Sequence, residues 1–221
     1  MTTRSPSAKA SIIQVEANLL CFPFFALQTK GLKQRKGVEV TGVRNGESFR
    51  LRVTRNTDSE FPGPLSRKLH FALLSLLFDR HHAESPIQNP IEFSWRELAD
   101  RADLEWGGGH MIPRLKRAIE ATHGVVIRTN HALITRDQSD RKPMPTRERG
   151  YHLYEKYAFV NEVLADGSVA DKNHLWLADW YLANLNSLYS GPVNYDLWRE
   201  LNRRPIASRI YEYLLFKFTA D

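Results

Sequence analysis

Few residues in this sequence can bind a metal or form a disulfide. The 221 residues include one cysteine, Cys21, and eight histidines that are scattered along the chain. One cysteine cannot form an intrachain disulfide, and neither it nor the histidines show the spacing of a zinc site. The glycine-rich stretch GGGH at 107–110 lacks the Gly-Lys-Ser/Thr ending of a nucleotide-binding loop. We therefore expect no metal and no cofactor, and we interpret Cys21 as a small buried residue rather than a catalytic thiol.

Long hydrophobic runs are also absent. No window approaches the roughly 18 uninterrupted apolar residues that are needed to span a bilayer. Near the start of the chain, Gln14, Glu16 and Asn18 interrupt what would be the apolar part of a secretory signal. Because 42% of the residues are hydrophobic and 25% are charged, the chain can form a packed core. We expect a globular cytoplasmic protein without membrane association.

Negative charge is scarce relative to positive charge. The chain has 31 lysines and arginines against 25 aspartates and glutamates, which gives a formal net charge of +6. The imbalance is strongest between residues 30 and 55, where eight basic residues stand against two acidic ones. A basic surface favours an anionic partner, and nucleic acid is the commonest such partner.

The basic segment contains the signal of a β-hairpin. Apolar and polar residues alternate on both sides of the dipeptide Asn-Gly at 45–46, which favours a two-residue turn because both central positions need positive φ. We predict strands at about 38–43 and 48–54. In the second strand, Arg50 and Arg52 alternate with apolar residues, so both arginines are predicted to share the solvent face.

Residues 61–178 predict the element order of a winged helix. An apolar helix begins at a proline-rich stretch, and Ser94 with Glu97 forms a capping-box pattern for a second helix over about 95–103. Glycines at 107–109 make a turn before a third helix, which has Pro113 in its first turn. The remaining elements are a strand at 125–136, a charged loop at 136–149 that would form the wing, and strands at 151–160 and 173–180, the last extending the sheet as a hairpin.

The third helix has an apolar face and a basic face. The apolar stripe comprises Met111, Ile112, Leu115, Ala118 and Ile119, and the other stripe comprises His110, Arg114, Arg117 and Ala121. Basic side chains on one surface neutralise phosphates, and an arginine fork can also bind guanine in the major groove. The predicted DNA contacts are His110, Arg114, Lys116 and Arg117. The alternative is a solvated helix face that binds nothing.

The charged loop and the hairpin supply further candidate contacts to DNA. Prolines at 143 and 145 are expected to stiffen the loop, and its basic side chains outnumber its acidic ones. The candidates are Arg141, Lys142, Arg147 and Arg149 from the loop, with Arg50 and Arg52 from the hairpin. The alternative is an ordinary surface loop without a ligand.

Residues after 178 predict a further, helical unit. The stretch SRIYEYLLFKF at 208–218 follows a proline and repeats the pattern of SRKLHFALLSLLF at 66–78. This repeat indicates the start of a second winged helix, whose reading helix and wing are not in the chain. We predict an α+β fold with an N-terminal tail and basic hairpin at 1–60, a winged-helix domain at 61–178, and the incomplete start of a second winged-helix-like unit at 179–221.

A resemblance to a known family is carried by three stretches, LSRKLHFALL, FSWRELADRADL and YLANLNSLYSGPVNYDLWRELNRRPIASRIYEYLLFKF. They resemble bacterial plasmid replication initiators of the replication initiator protein A type, over about residues 60–221. The resemblance implies a tandem winged-helix protein that binds repeated origin sequences in double-stranded DNA and has no catalytic step. It also implies a homodimer as a possible assembly and host replication proteins as partners.

Other functions stay open from the sequence alone. A transcriptional repressor uses the same scaffold, and a dimerisation domain would leave DNA reading to residues outside this chain. A nickase would need a tyrosine nucleophile such as Tyr151, Tyr154 or Tyr157, but no histidine–hydrophobe–histidine metal motif accompanies them. Six aromatic residues suit either a stacking platform for single-stranded DNA or a core, and the surrounding leucines favour the core. They are Trp176, Trp180, Tyr181, Tyr189, Tyr195 and Trp198.

Overall fold

The computed structural model describes residues 12–44, 46–81, 85–130, 132–136, 143–145, 149–161 and 170–219. The helices are α1 (Ala17–Cys21), α2 (Pro64–Arg80), α3 (Trp95–Arg101), α4 (Ile112–His123), α5 (Asp179–Asn186), α6 (Tyr195–Leu201) and α7 (Pro205–Thr219). The strands are β1 (Ile12–Glu16), β2 (Gly37–Arg44), β3 (Glu47–Arg55), β4 (Ile91–Phe93), β5 (Val125–Asn130), β6 (Ile134–Arg136), β7 (Pro143–Pro145), β8 (Arg149–Tyr151), β9 (Tyr154–Ala158), β10 (Asn173–Leu177) and β11 (Ser190–Asn194). Helices and antiparallel strands are therefore mixed in an α+β fold.

Helix α2 is the central helix of the core. It begins at Pro64, where the missing backbone N–H costs nothing, and it ends at Arg80. Nearly every residue from Ser66 to Leu77 is buried, so the helix is covered on all sides rather than on one face. Its position confirms the prediction of an apolar core helix at this point in the sequence.

The helix–turn–helix forms where the sequence predicts it. The backbone N–H of Glu97 donates to the Ser94 hydroxyl at 3.1 Å and the Ser94 N–H donates to the Glu97 carboxylate at 3.4 Å, which completes the capping box of α3. The turn uses Gly108 with φ of +85°, a conformation that glycine adopts without strain. Helix α3 ends at Arg101, two residues before the predicted end.

The strands of the described residues form four separate antiparallel sheets. The largest has the order β2-β3-β5-β8, a second has the order β4-β10-β9, and the pairs β1-β11 and β6-β7 complete the set for the described residues. The β2-β3 hairpin pairs Arg44 with Glu47 across a two-residue turn in which Gly46 has φ of +81°. Asn45, the other turn residue of the prediction, lies outside the described residues. The predicted hairpin is confirmed.

The predicted strand at 151–160 is divided between two sheets. Strand β8 pairs with β5, whereas β9, which is separated from β8 by only two residues, pairs with β10. The pairing of β9 with β10 confirms the predicted hairpin. The prediction that the strands after α4 share one sheet is wrong, because β5 and β8 belong to the sheet of the N-terminal hairpin, whereas β9 and β10 form another sheet with β4.

The core connects all parts of the described chain. One cluster of buried apolar residues extends from Ile13 to Phe216. Strand β1 pairs with β11, which puts Ile13 opposite Val193, and β3 pairs with β5, which puts Val53 opposite Ile127. The division at residues 60 and 178 stays a prediction, and strand pairing crosses both of its boundaries. The predicted N-terminal tail at 1–10 lies outside the described residues.

A buried ion pair joins α2 to α7. The Arg67 guanidinium donates to the Glu212 carboxylate, and each side chain is only 3% exposed. The indole N–H of Trp198 donates to the same carboxylate at 2.6 Å, and the ring of Trp198 stacks on Phe71 with centroids 4.0 Å apart. Burial lowers the pKa of Arg67, and the charge of Glu212 opposes this shift. Helix α7 is therefore joined to α2 by a buried ion pair within the shared core.

The other side of α7 is apolar and exposed. Ile206, Ile210, Tyr213, Leu214 and Phe218 are all exposed, and Phe218 reaches 83%. The solvent-facing side of a surface helix ordinarily carries charged or polar residues. The helix predicted over 208–218 is present, and its exposed apolar side has no cover among the described residues.

Candidate nucleic-acid interface

Helix α4 presents one buried side and one basic side. Leu115, Ala118 and Ile119 are buried, whereas Arg114 and Arg117 are exposed. Ala121, which the sequence pattern assigns to the basic side, is only 1% exposed, so that assignment is wrong. The reason is that the last turns of the helix are enclosed on several sides, since Ala118, Ile119 and Ala121 are all buried.

Arg114 and Arg117 are available to a ligand. They stand three residues apart, so they lie close together on the helix surface. Neither forms an ion pair with a described residue. The Nε of Arg117 donates to the backbone oxygen of Pro113 at 3.3 Å, which leaves the two terminal nitrogens of its guanidinium for another partner.

Arg117 also borders an open cleft of about 540 Å³ beside α4. Lys33 and His123 add basic groups to its walls, and Glu60 and Glu120 add acidic ones. The Arg55 guanidinium in the same wall donates to the backbone oxygens of residues 33, 56, 57 and 59, so its role there is to hold the loop after β3. The mixed charge of the cleft gives no preference for a free anion, and Arg117 remains part of the helix surface.

The structure separates the other two residues predicted on α4. The Lys116 ammonium lies 4.6 Å from the centroid of the Phe159 ring, a cation–π contact that draws the half-buried side chain toward the protein. The exposed imidazole of His110 packs on Gly107, where an added Cβ would lie 2.7 Å from its Nε2 atom. Of the four residues, Arg114 and Arg117 therefore extend most freely.

The hairpin arginines lie on the solvent face of the largest sheet, as predicted. Leu51 and Val53 are buried on the opposite face, and Arg50 and Arg52 are exposed. Arg50 donates to Glu39 at 2.8 Å, and this hydrogen bond lowers the pKa of Glu39. Arg50 is thus partly neutralised, whereas Arg52 forms no ion pair with a described residue.

Arg128 is a candidate that reasoning from the sequence missed. It is exposed on β5, directly opposite Arg52 in the register of the sheet. Two like charges at opposite positions repel each other, and an anion between them removes that repulsion. Inward-facing and outward-facing residues alternate along β5, and this alternation indicates the exposure of Arg128, which stands between the buried Ile127 and Thr129.

The two ends of the predicted wing, residues 136 and 149, lie in strands β6 and β8. Strand β6 pairs with β7, which puts Arg136 opposite Pro143, so residues 143–145 are a strand rather than the stiffened loop that was predicted. The outer position suits proline because β7 has no second strand partner among the described residues. Arg141, Lys142 and Arg147 lie outside the described residues, and Arg149 is described only by its backbone, at the start of β8.

The aromatic residues considered for stacking on DNA are mostly core. Tyr181, Tyr189, Tyr195 and Trp198 are buried, which confirms the core interpretation for these four. Trp180 is half-buried, and its indole N–H donates to the backbone oxygen of residue 152 at 2.8 Å. Trp176 is also half-buried, with the Lys156 ammonium 4.6 Å from its ring centroid.

One of the three tyrosines considered for a nicking reaction lies in the core. Tyr154 is buried, its hydroxyl is 3.0 Å from Nδ1 of His70, and burial raises its pKa, which makes it a weak nucleophile. In the part of the chain with described coordinates, no three histidine, cysteine, aspartate or glutamate residues are grouped to hold a metal ion. Cys21 is half-buried and packs against the core. No described helix is long and apolar enough to cross a membrane.

Comparison with known proteins gives matches at the level of structure. No family model and no curated protein matches the sequence. A crystal structure of domains 2 and 3 of RctB is similar over 92% of this chain and 71% of its own, with a TM-score of 0.62 and 11% identity. A second RctB structure of domains 2–3 is similar over 85% of this chain and 66% of its own, with a TM-score of 0.53 and 11% identity.

These similarities define the class of fold. The chain has a mixed α+β fold that is similar to the winged-helix-like domains 2 and 3 of RctB, which confirms the fold class predicted from the sequence. The structural neighbour, RctB, is a replication initiator of the Vibrio chromosome II.

Proposed function

We propose that this chain acts in replication initiation by binding double-stranded DNA non-covalently, without a catalytic step. The observation that carries the proposal is the structural similarity of 92% of the chain to domains of the replication initiator RctB. The exposed pair Arg114 and Arg117, on the second helix of the helix–turn–helix, supplies the contact surface. In proteins of this kind that helix enters the major groove.

Phosphate neutralisation accounts for the affinity in this proposal. Each phosphate contact lowers the logarithm of the binding constant by about 0.9 per tenfold rise in salt. Arg52 and Arg128 on the sheet form a second basic group, and the wing residues Arg141, Lys142 and Arg147 are proposed as a third. A guanidinium suits both phosphate and guanine, so each arginine in this proposal can contact the backbone or a base.

The biological target that we propose is a plasmid origin of the kind bound by replication initiator protein A. The support is the sequence resemblance over residues 60–221. Assembly as a homodimer and recruitment of host replication proteins belong to the same proposal. Loss of plasmid maintenance on deletion of the gene is the expected phenotype, and it separates an initiator from a transcriptional repressor on the same scaffold.

The double variant Arg114→Ala with Arg117→Ala tests the interface. We expect weaker binding to duplex DNA that carries origin repeats, and a salt slope smaller by about 2, because two phosphate contacts are lost. Fluorescence anisotropy at several salt concentrations measures both quantities, with a random duplex as the reference for specificity. Unchanged affinity and slope in this variant would show that α4 is only part of the architecture.

The matched control removes two exposed arginines elsewhere. Arg203 and Arg204 precede α7 and are exposed, and Arg203 has only a long contact of 3.8 Å to Asp103. The variant Arg203→Ala with Arg204→Ala therefore changes the net charge by the same amount. We expect its salt slope to match the wild type, which separates a local contact from a general effect of charge.

An assembly role without DNA binding is the second candidate, and one observation favours it. The exposed apolar side of α7 is suited to contact with another protein surface. Size-exclusion chromatography together with a gel shift on the wild-type chain separates the two functions. A chain that oligomerises and leaves both duplexes unshifted would support assembly alone and overturn the proposed DNA binding.

A further inference from the structure

The first strand of the wing is held inside the domain. Ala132 and Leu133 are fully buried, and Ile134 at the start of β6 is 8% exposed. The N–H of Ala132 donates to the Thr129 hydroxyl at 3.3 Å. The β6-β7 hairpin is a two-stranded sheet with no third strand among the described residues, so backbone pairing with another strand does not fix its direction.

Two asparagine side chains form hydrogen bonds with the backbone of this hairpin, at the edge where a neighbouring strand would otherwise pair. The N–H of Ile134 donates to Oδ1 of Asn18 at 3.0 Å, and Nδ2 of Asn18 donates back to the Ile134 oxygen at 2.8 Å. Nδ2 of Asn184, on α5, donates to the same oxygen at 2.9 Å. The Asn18 amide therefore replaces a strand partner at one residue of β6.

A buried carboxyl group orients both asparagines. Oε1 of Glu16 accepts from Nδ2 of Asn18 at 2.6 Å and from Nδ2 of Asn184 at 2.8 Å, and Oε2 accepts from the N–H of Leu19 at 3.0 Å. The side chains of Glu16, Asn18 and Asn184 are all buried. Because each amide nitrogen has two hydrogens, those of Asn18 and Asn184 are fully used between Glu16 and Ile134. A flip of the Asn18 amide would face Oδ1 toward the Glu16 oxygen and break both bonds to the strand.

We infer that Glu16, Asn18 and Asn184 are positioning residues, which fix the direction of the β6-β7 hairpin so that the wing meets DNA at a defined place. The three come from β1, α1 and α5, so the wing is aligned with the N-terminal segment and with the helices after the sheet. The inference rests on the proposed function, because it assigns a DNA-binding role to the wing. It places that role under the control of residues that do not touch DNA.

A double-mutant cycle tests the inference. The network variant is Asn18→Ala, with Asn184→Ala as a milder second variant that leaves both bonds between Asn18 and Ile134 in place. The wing variant is Arg141→Ala with Lys142→Ala. We expect each network variant to weaken binding to duplex DNA and to lower the salt slope by about 1–2, since about 0.9 is lost for each phosphate contact. Combined with the wing variant, it should weaken binding no further than the wing variant alone.

A matched control separates positioning from general loss of stability. Ser208 is fully buried, accepts a hydrogen bond from Arg67 at 2.9 Å and donates to the backbone of Pro205 at 3.0 Å, at the junction of α2 and α7. Ser208→Ala removes buried hydrogen bonds from another network and should leave the salt slope unchanged. Hydrogen exchange at the Ile134 amide should accelerate in Asn18→Ala and remain unchanged in Ser208→Ala.

The outcomes distinguish this inference from the proposed function. Absence of DNA binding by the wild type overturns the proposed function and this inference together, whereas full binding by the Arg114 and Arg117 variant refutes only the α4 interface. If the wild type binds, the inference is overturned by folded Asn18→Ala and Asn184→Ala proteins with wild-type affinity. It is also overturned if the wing variant binds DNA with wild-type affinity. The same holds if the affinity lost in the combined variant equals the product of the fold-losses in the network variant and the wing variant.

Discussion

Replacing Glu212 by alanine should lower the free energy of unfolding by about 3–5 kcal/mol, the range measured when one partner of a buried ion pair is removed. The substitution leaves the Arg67 guanidinium in the core with its side chain 3% exposed. It also removes the acceptor of the Trp198 indole N–H and the 3.0 Å contact of Arg209. Two arginines would then face each other without a carboxylate between them.

The magnitude is large relative to the stability of an ordinary domain. Domains are stable by about 5–15 kcal/mol, so the variant should lose a substantial part of the total. In a chain of this length the midpoint of thermal unfolding should fall by about 6–20 °C, at about 2–4 °C for each kcal/mol. Urea denaturation followed by tryptophan fluorescence gives the free energy directly, and Trp198 itself reports on the site.

The control for this experiment is an exposed ion pair. Arg199 contacts Asp196 at 2.6 Å, with the Asp196 side chain 58% exposed, and Asp196→Ala should change the free energy of unfolding by less than about 1 kcal/mol. A loss below about 1 kcal/mol in Glu212→Ala as well would refute the reasoning. It would mean that α7 separates easily from α2 and exposes Arg67 to water.

Two further predictions concern pH and the sheet. Burial raises the pKa of Glu16 from 4.5 to about 7, so its contribution to stability is greatest below pH 4.5 and falls as pH rises to about 7, by about 3 kcal/mol. Urea titrations at several pH values should show this decline in the wild type relative to Glu16→Gln; His70, whose pKa burial lowers to about 3, changes stability in the opposite sense in both proteins. If Arg128 binds a phosphate, Arg128→Ala should lower the salt slope of DNA binding by about 0.9, measured by anisotropy. An unchanged slope would remove Arg128 from the interface.

Local signals in the sequence predicted the helices and the hairpin well. The capping box at Ser94 and Glu97, the proline at the start of α2 and the Asn-Gly turn act over a few residues, so a single sequence contains all the information that they need. The basic side of α4 follows from the helical period in the same way. Arg114 and Arg117 are exposed as that period requires.

Contacts between residues that are far apart in the sequence could not be predicted from such local signals. Lys116 was predicted as a DNA contact, but its ammonium lies over the ring of Phe159, which is 43 residues later in the sequence. Glu16 was interpreted only as an interruption of an apolar run, because its partner Asn184 is 168 residues away. Strand pairing has the same limit, since nothing local to β5 indicates that the N-terminal hairpin lies beside it.

The short interval between β8 and β9 restricts how this fold can vary in length. Only His152 and Leu153 separate a strand of one sheet from a strand of another, and the buried Leu153 accepts a hydrogen bond from the N–H of Ala178 at 3.1 Å. Adding or deleting one residue there would turn the side chains of one strand to the wrong face while those of the other kept their place. Among proteins of this fold, we expect insertions to accumulate at exposed loop tips and the length of this crossing to stay constant.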